Sequence, residues 1–345
     1  MNESTPLLLK ALNKEKLPIP PIWYMRQAGR YMPEYRKIRS KFKNFLDMCK
    51  NPEVCCELAL QPIKAFNLDA AILFSDILTI PDALGLDVEF IENEGPVFKK
   101  SIKSVKDIKN LKPFDPDDLS YVYKAVNNIK SVLPNNTPLI GFSGSPWTLA
   151  AYSIEGRSSK DFKKTINFIK ENKDESHLFL SKLTDACFLY LRKQVQAGAD
   201  VIQIFDSWAN ILNNDDLHVL SFDYIKSLIY SLKNDPVTSS TPIILFARDP
   251  RCNFNALIET SADCISLYWS MNDFCLNSSK DKIALQGNLN PKILLESREI
   301  IKKETYGMLE KFKNFPGYIF NLGHGITPDI NPEKVKYLTD IVREY

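Results

Sequence analysis

Arg26, Arg30, Arg36 and Arg39 stand within fourteen residues, in the run Trp23-Tyr-Met-Arg-Gln-Ala-Gly-Arg-Tyr-Met-Pro-Glu-Tyr-Arg-Lys-Ile-Arg39. Ten of the chain's 44 basic residues are arginine, which leaves 34 lysines. An even scatter would place about 0.4 arginines in such a window. A guanidinium offers a planar fork of donors that grips carboxylate or phosphate through paired hydrogen bonds, which an ammonium cannot do. The residues between the arginines include Tyr, Met, Pro and Gly, not the Glu/Lys mix of an exposed helix. The run reads as a binding loop for a polyanion, against the blander alternative of a salt-bridged surface turn.

The other chemistry-bearing residues are single and follow apolar runs. Asp76 ends Leu73-Phe-Ser-Asp76 and suits either a cap for the next turn or a cavity carboxylate. Tyr152 lies in Phe142-Ser-Gly-Ser-Pro-Trp-Thr-Leu-Ala-Ala-Tyr152, as a core tyrosine or a substrate donor. Ser207, in Phe205-Asp-Ser-Trp208, has no neighbouring base and no G-x-S-x-G context, which argues against a nucleophile. His324 sits between two glycines, an arrangement an ordinary core histidine does not require. His177 and His218 are assigned to helix surfaces.

These residues need a scaffold that makes them converge. Strand candidates at 21–25, 69–74, 139–143, 200–205, 243–246, 264–269, 283–286 and 318–321 alternate with helical patterns at 52–66, 119–133, 161–196, 222–233, 255–261, 291–313 and 332–344. Strand-then-helix alternation predicts a parallel sheet, and eight strands favour a (β/α)8 TIM barrel. No G-x-G-x-x-G follows a strand, which weakens a dinucleotide fold. Residues 1–345 are read as one α/β domain with an N-terminal extension and a small inserted hairpin across 86–98. In such a barrel the polar segments named above all fall at carboxyl ends of strands, around one cavity.

Composition narrows the class further. A net charge of +2 implies no non-specific binding to nucleic acid or membrane, so anion recognition must be local. No apolar run approaches the ~20 residues of a membrane span. The N-terminus lacks a secretory pattern. Seven cysteines without C-x-x-C spacing read as reduced thiols in a cytoplasmic protein. Three histidines without ligand spacing propose no metal site.

The segment from Pro21 to Arg36 closely resembles the N-terminal signature of the uroporphyrinogen decarboxylases, and Gly141 to Gly156 their second. Supporting likenesses are Phe74–Leu78, Gln203–Ala209, Leu285–Pro291 and Asn321–Gly325, in order and over nearly the whole chain. The resemblance implies a carboxy-lyase of haem (tetrapyrrole) biosynthesis, a homodimeric barrel without metal or organic cofactor. Its substrate would be uroporphyrinogen, converted to coproporphyrinogen and carbon dioxide. It implies carboxylate binding by Arg26, Arg30 and Arg39, pyrrole N–H recognition by Asp76, and substrate contacts from Tyr152, Ser207 and His324. Gln27 and Phe205 are implied as cleft lining. The chain departs from the family at Phe246–Phe254, where a shorter glycine-containing loop is usual. It also departs at Ser266-Leu-Tyr268-Trp, where Gly-Leu-Asp-Trp is usual, which removes an acid from the cleft rim or its support.

The chemistry suits these residue types. Protonating a pyrrole α-carbon beside an acetate arm makes the ring its own electron sink, and a fixed carboxylate stabilises the developing cation. Asp76 is assigned that task, with Asp206 read as structural. The proton donor stays open among a water held by Arg26, Tyr152 and His324, because guanidinium itself holds its proton. Two rival readings are a zinc-dependent corrinoid or thiol methyltransferase on the same barrel and a catalytically impaired porphyrinogen-binding protein. The first expects a His-x-Cys pair plus a later Cys, which the sequence lacks.

Overall fold

A computed structural model describes residues 5–91, 94–249, 254–271 and 282–345. The polar stretch at 277–281, the middle of the 246–254 segment, Cys252 and Cys275 lie outside the described residues. The main sheet has seven parallel strands: β1 (Ala71–Ile72), β4 (Leu139–Gly144), β5 (Val201–Asp206), β6 (Ile243–Ala247), β7 (Cys264–Ser266), β8 (Ala284–Gln286) and β9 (Tyr318–Ile319). They are hydrogen-bonded in chain order. A separate antiparallel pair, β2 (Val88–Ile91) with β3 (Gly95–Phe98), follows β1.

The segment expected as the first strand, 21–25, forms only a single parallel bridge, Ile22 with Phe320. Side chains take amides that a ladder would use: Tyr24 N donates to Gln27 Oε1 (3.2 Å) and Met25 N to Asn321 Oδ1 (3.1 Å). Even so, this segment links the two ends of the sheet. Phe320 N donates to Pro21 O (2.9 Å), and Asp69 N donates to Ile22 O (2.8 Å). Asp69 Oδ2 reinforces the junction, accepting from Ile22 N and pairing with Arg343, each at 2.6 Å. The result is a curled, TIM-like α/β sheet.

Two-residue alternation along the strands sorts side chains into two buried sets. Ile140, Val201, Ile244, Phe246, Cys264, Ala284 and Ile319 cluster with Trp23 and with Leu8 and Leu12 of the helix Leu7–Leu12. Their neighbours Ile202, Ile204, Ile243, Leu245, Ile265 and Leu285 belong to the larger cluster formed with the helices. Both faces are therefore covered, which is why these strands read as unbroken apolar runs.

Two helices differ from expectation. The pattern at 161–196 divides into Lys163–Glu171 and Lys173–Gln196. Asn172 breaks it at φ −134°, ψ 61°, with its own Nδ2 donating to Phe168 O (3.0 Å). Asparagine competes in this way with helical backbone bonding. The pattern at 291–313 becomes a 3-10 turn, Pro291–Leu295, and a helix Arg298–Phe312 capped by Ser297, whose side chain accepts from Ile300 N. Among the described residues no helix is long and apolar enough to cross a membrane.

Candidate active site

The inward register of the strands builds the cavity floor. One level down, Trp23 Nε1 donates to Gln286 Oε1 (2.8 Å), and Gln286 Nε2 donates to Ser266 Oγ (2.9 Å). Above it runs a row of rings at the strand ends. Centroid separations are 5.8 Å for Phe142–Phe205, 6.2 Å for Phe205–Phe246, 6.5 Å for Phe246–Tyr268 and 6.2 Å for Tyr268–His324. The rings meet edge-on or tilted, at interplanar angles of 55° to 84°, and such contacts hold an apolar surface in place. Phe205 was expected here. Phe142, Phe246 and Tyr268 were missed, though each lies an even number of residues along its run from an inward neighbour. Tyr268 extends the row of rings toward His324.

The arginine loop is tied down from below. Tyr31 OH donates to Gln27 O (2.6 Å), and Gln27 Nε2 donates to Ala70 O (3.2 Å). Gln27, expected to line the cleft, instead lies beneath the loop: it is 1% exposed, with both ends of its amide engaged by backbone. Arg36 is also a scaffold element, since its Nη1 donates to the carbonyls of Arg30 (2.7 Å) and Tyr31 (2.9 Å). Arg39 Nη1 donates to Phe42 O (2.6 Å). Arg26 and Arg30 are exposed, and among the described residues neither has a carboxylate partner. Arg26 also adopts φ +61°, a left-handed conformation that a non-glycine residue rarely takes without a compensating purpose.

Asp76 follows β1. Its Oδ1 accepts from Leu78 N (2.8 Å), so it does cap the next turn, and it still faces the cavity, half-buried. Burial raises its pKa to about 6 from 3.8, against the lowering effects of the Leu78 amide and the Arg26 charge. Tyr152, on the helix Pro146–Glu155, is half-buried against Trp208 (5.7 Å) and Phe162 (6.0 Å). Burial raises its pKa, and the charges of Asp76 and Arg26 both reach it. Tyr35 feels Arg39, Arg30 and Asp76 in the same way, beyond the dominant effect of its burial. The structure thus brings Arg26, Asp76, Tyr152 and His324 to one mouth, with Arg30 and Arg39 on the Tyr35 side. Ser207 is half-buried beside Trp208.

Asp206 is scaffold. It is fully buried, and it accepts from Ser145 Oγ (2.9 Å), Thr148 Oγ1 (2.9 Å) and Ser221 Oγ (2.5 Å). His177 is engaged elsewhere, with Nδ1 2.7 Å from Tyr224 OH.

The glycines around His324 serve close approach, since neither has positive φ. A Cβ on Gly325 would lie 2.5 Å from Arg26 Cδ and 3.0 Å from its Nε. A Cβ on Gly323 would overlap the backbone of Trp269. The two positions therefore separate fold from chemistry. Gly325→Ala is expected to push the Arg26 side chain aside and lower kcat/KM about 10-fold or more, with melting changed by no more than about 2 °C. Gly323→Ala meets main chain that cannot step away and is expected to destabilise by about 2 kcal/mol or more. Parallel melting curves and rate assays check both.

Burial lowers the His324 pKa to about 4 from 6.5, helped by the charges of Arg26 and Arg248. The imidazole is neutral above about pH 5. Stability from this neutral form is present above 6.5 and is lost as pH falls toward 4. Asp76 has the opposite sign: its folded pKa is raised, so its contribution is present below 3.8 and lost as pH rises through about 6. Of these two groups, Asp76 is the one that titrates near 6. The acid limb of kcat/KM is expected near pH 6 and is expected to stay there in His324→Gln. A limb that moves or vanishes in that variant would reassign it to the imidazole.

Comparison with known proteins follows the same lines. The family model "Uroporphyrinogen decarboxylase (URO-D)" matches residues 3–345. A protein named uroporphyrinogen decarboxylase from Legionella pneumophila (strain Paris) is 44% identical over 349 residues, covering 100% of this chain and 97% of its own length. Another of that name from Ruthia magnifica is 45% identical over 342 residues, covering 98% of each. Among solved structures, a methyltransferase from Methanosarcina mazei superposes with a TM-score of 0.80 at 19% identity, covering 98% of this chain and 97% of that one. At that identity the likeness concerns the fold alone.

Proposed function

Because the chain belongs to the uroporphyrinogen decarboxylase family, we propose that it removes carbon dioxide from the four acetate arms of uroporphyrinogen III, giving coproporphyrinogen III in haem biosynthesis. The observation that carries this reading is a half-buried carboxylate, Asp76, at the same mouth as a guanidinium, Arg26, that has no carboxylate partner among the described residues, over an aromatic floor. A largely apolar macrocycle with acidic arms and inward N–H groups matches each feature.

Asp76 accepts hydrogen bonds from the pyrrole N–H groups. Arg26, Arg30 and Arg39 hold acid arms, while Tyr152, Ser207 and neutral His324 contact the substrate from the opposite rims. Phe205 lies beneath the ring. Gln27 supports the Arg26 loop without touching substrate. Protonation of a pyrrole α-carbon creates a cationic ring, and the C–C bond to the carboxylate breaks with its electron pair entering that ring. Carbon dioxide leaves, the exocyclic methylene takes a proton to become methyl, and the α-carbon releases the proton it had gained, which restores the neutral pyrrole. The Asp76 charge interacts more strongly with the cationic ring than with the neutral one, and that difference lowers the barrier. With the pyrrole as electron sink, neither metal nor organic cofactor is required.

The same reading takes residues 1–345 as one closed (β/α)8 barrel, in which Pro21–Ile22 supplies the eighth strand position. An N-terminal extension and an inserted β2–β3 hairpin complete it, and the enzyme is a homodimer in the cytoplasm. The methyltransferase likeness does not compete, because 44% identity over the full chain outweighs 19%. The test is anaerobic incubation with uroporphyrinogen III under reducing conditions, then oxidation and chromatography of the porphyrins. Successive seven-, six-, five- and four-carboxyl species are expected. Unchanged eight-carboxyl porphyrin would overturn the proposal and leave a binding protein.

A further inference from the structure

Arg248 stands directly after β6, in the segment that departs from the family pattern, and the site described so far leaves it without a task. Its backbone amide donates to Asp206 O (2.9 Å), fixing where its side chain starts. Its guanidinium carbon lies 5.3 Å from the centroid of the Trp208 ring. Among the described residues no carboxylate pairs with it. A guanidinium held over an indole ring has lost part of its rotational freedom before an anion arrives, so gripping one costs less further ordering.

Its place in the sheet gives the direction. Counting the Pro21–Ile22 bridge between β9 and β1, three strands separate it from β6 either way round. Arg26 and Arg248 therefore rise from opposite points of the rim. Both charges depress the basicity of His324, whose ring lies 6.4 Å from that of Phe246, so both face the same space.

We propose that Arg248, held on the Trp208 ring, is a second carboxylate clamp that binds an acid arm of the substrate on the side of the cavity away from Arg26. A disc held only at one edge can swing; two opposed grips fix its rotation over Asp76. This inference rests on the decarboxylase reading. The clamp acts on an arm that is not reacting, so it binds ground state and transition state alike and shows in KM more than in kcat.

Steady-state kinetics with uroporphyrinogen on the wild-type chain, Arg248→Ala and Arg248→Lys tests it. Arg248→Ala is expected to raise KM about 10-fold or more with kcat within about threefold, and Arg248→Lys to recover only part of the loss. A KM within twofold of wild type in Arg248→Ala would overturn the clamp. So would a loss confined to kcat and accompanied by a lowered melting temperature, which marks mere support of Trp208. If the wild-type chain itself turns over nothing, the decarboxylase reading fails first. Binding of oxidised uroporphyrin, followed by tryptophan fluorescence, then tests the clamp separately, and an unchanged Kd in Arg248→Ala would sink it.

Discussion

Asp76→Asn is expected to lower kcat/KM about 100- to 1,000-fold, the usual cost of removing a preorganised group facing a charge that develops in the transition state. The same change is expected to leave the fold slightly more stable at pH 7.5. The asparagine oxygen still accepts from Leu78 N, so the turn keeps its cap. What disappears is a carboxylate whose burial lifts its pKa from 3.8 to about 6. That lift of roughly two units corresponds to about 3 kcal/mol of strain on the charged form. Solvent access at the mouth and the lost attraction to Arg26 reduce the net gain to about 1 kcal/mol. In a chain of this size that is a rise of about 2 °C in Tm. The gain should vanish at pH 4, where the wild-type carboxyl is already protonated. Thermal melts at both pH values, beside chromatography of the oxidised porphyrins, check the pair of effects. An Asn variant that melts several degrees lower while keeping activity would make Asp76 a capping residue only.

Arg26→Lys is expected to cost about 100-fold in kcat/KM despite keeping the charge. Ammonium cannot reproduce the forked pair of hydrogen bonds to a carboxylate. The local structure sharpens this, because the Arg26 stem crosses Gly325 at a distance that leaves no room for a Cβ there. A lysine would follow that path but end in a point charge. Arg26→Met provides a second readout, independent of the size of the activity loss. The Arg26 charge is one of the influences lowering the Asp76 pKa. Removing it should move the acid limb of kcat/KM above pH 6, while Arg26→Lys should leave the limb close to its place. A Lys variant of full activity would contradict the bidentate contact. An unmoved limb in the Met variant would separate Arg26 from Asp76.

Much of the site was legible before any coordinates. The arginine run, Asp76, Tyr152 and His324 were marked by type, spacing and position after apolar runs, because an anion-binding cavity needs forked cations and the ends of parallel strands gather loops; Phe205 was marked only by the family resemblance. Strand-then-helix alternation likewise announced a parallel α/β sheet, since each buried strand must be a short apolar run and each crossover an amphipathic helix.

Side-chain direction was not legible, and direction decided the rest. Gln27 and Arg36 share the signature with Arg26, yet hydrogen bonds to backbone carbonyls turn them into supports. Side chains of Gln27 and Asn321 took the amides that would have made 21–25 a full strand, and Asn172 cut one helical pattern in two. The glycines beside His324 looked like a need for flexible backbone and proved to be clearance for Trp269 and Arg26, partners far away in the chain. Arg248 gained its meaning only when the fold set it over Trp208, a partner forty positions away. The sequence by itself determined which chemical groups are present and which class of scaffold carries them, because composition and periodicity are local properties. Which of those groups face the cavity was left to tertiary structure, because that depends on contacts between residues hundreds of positions apart.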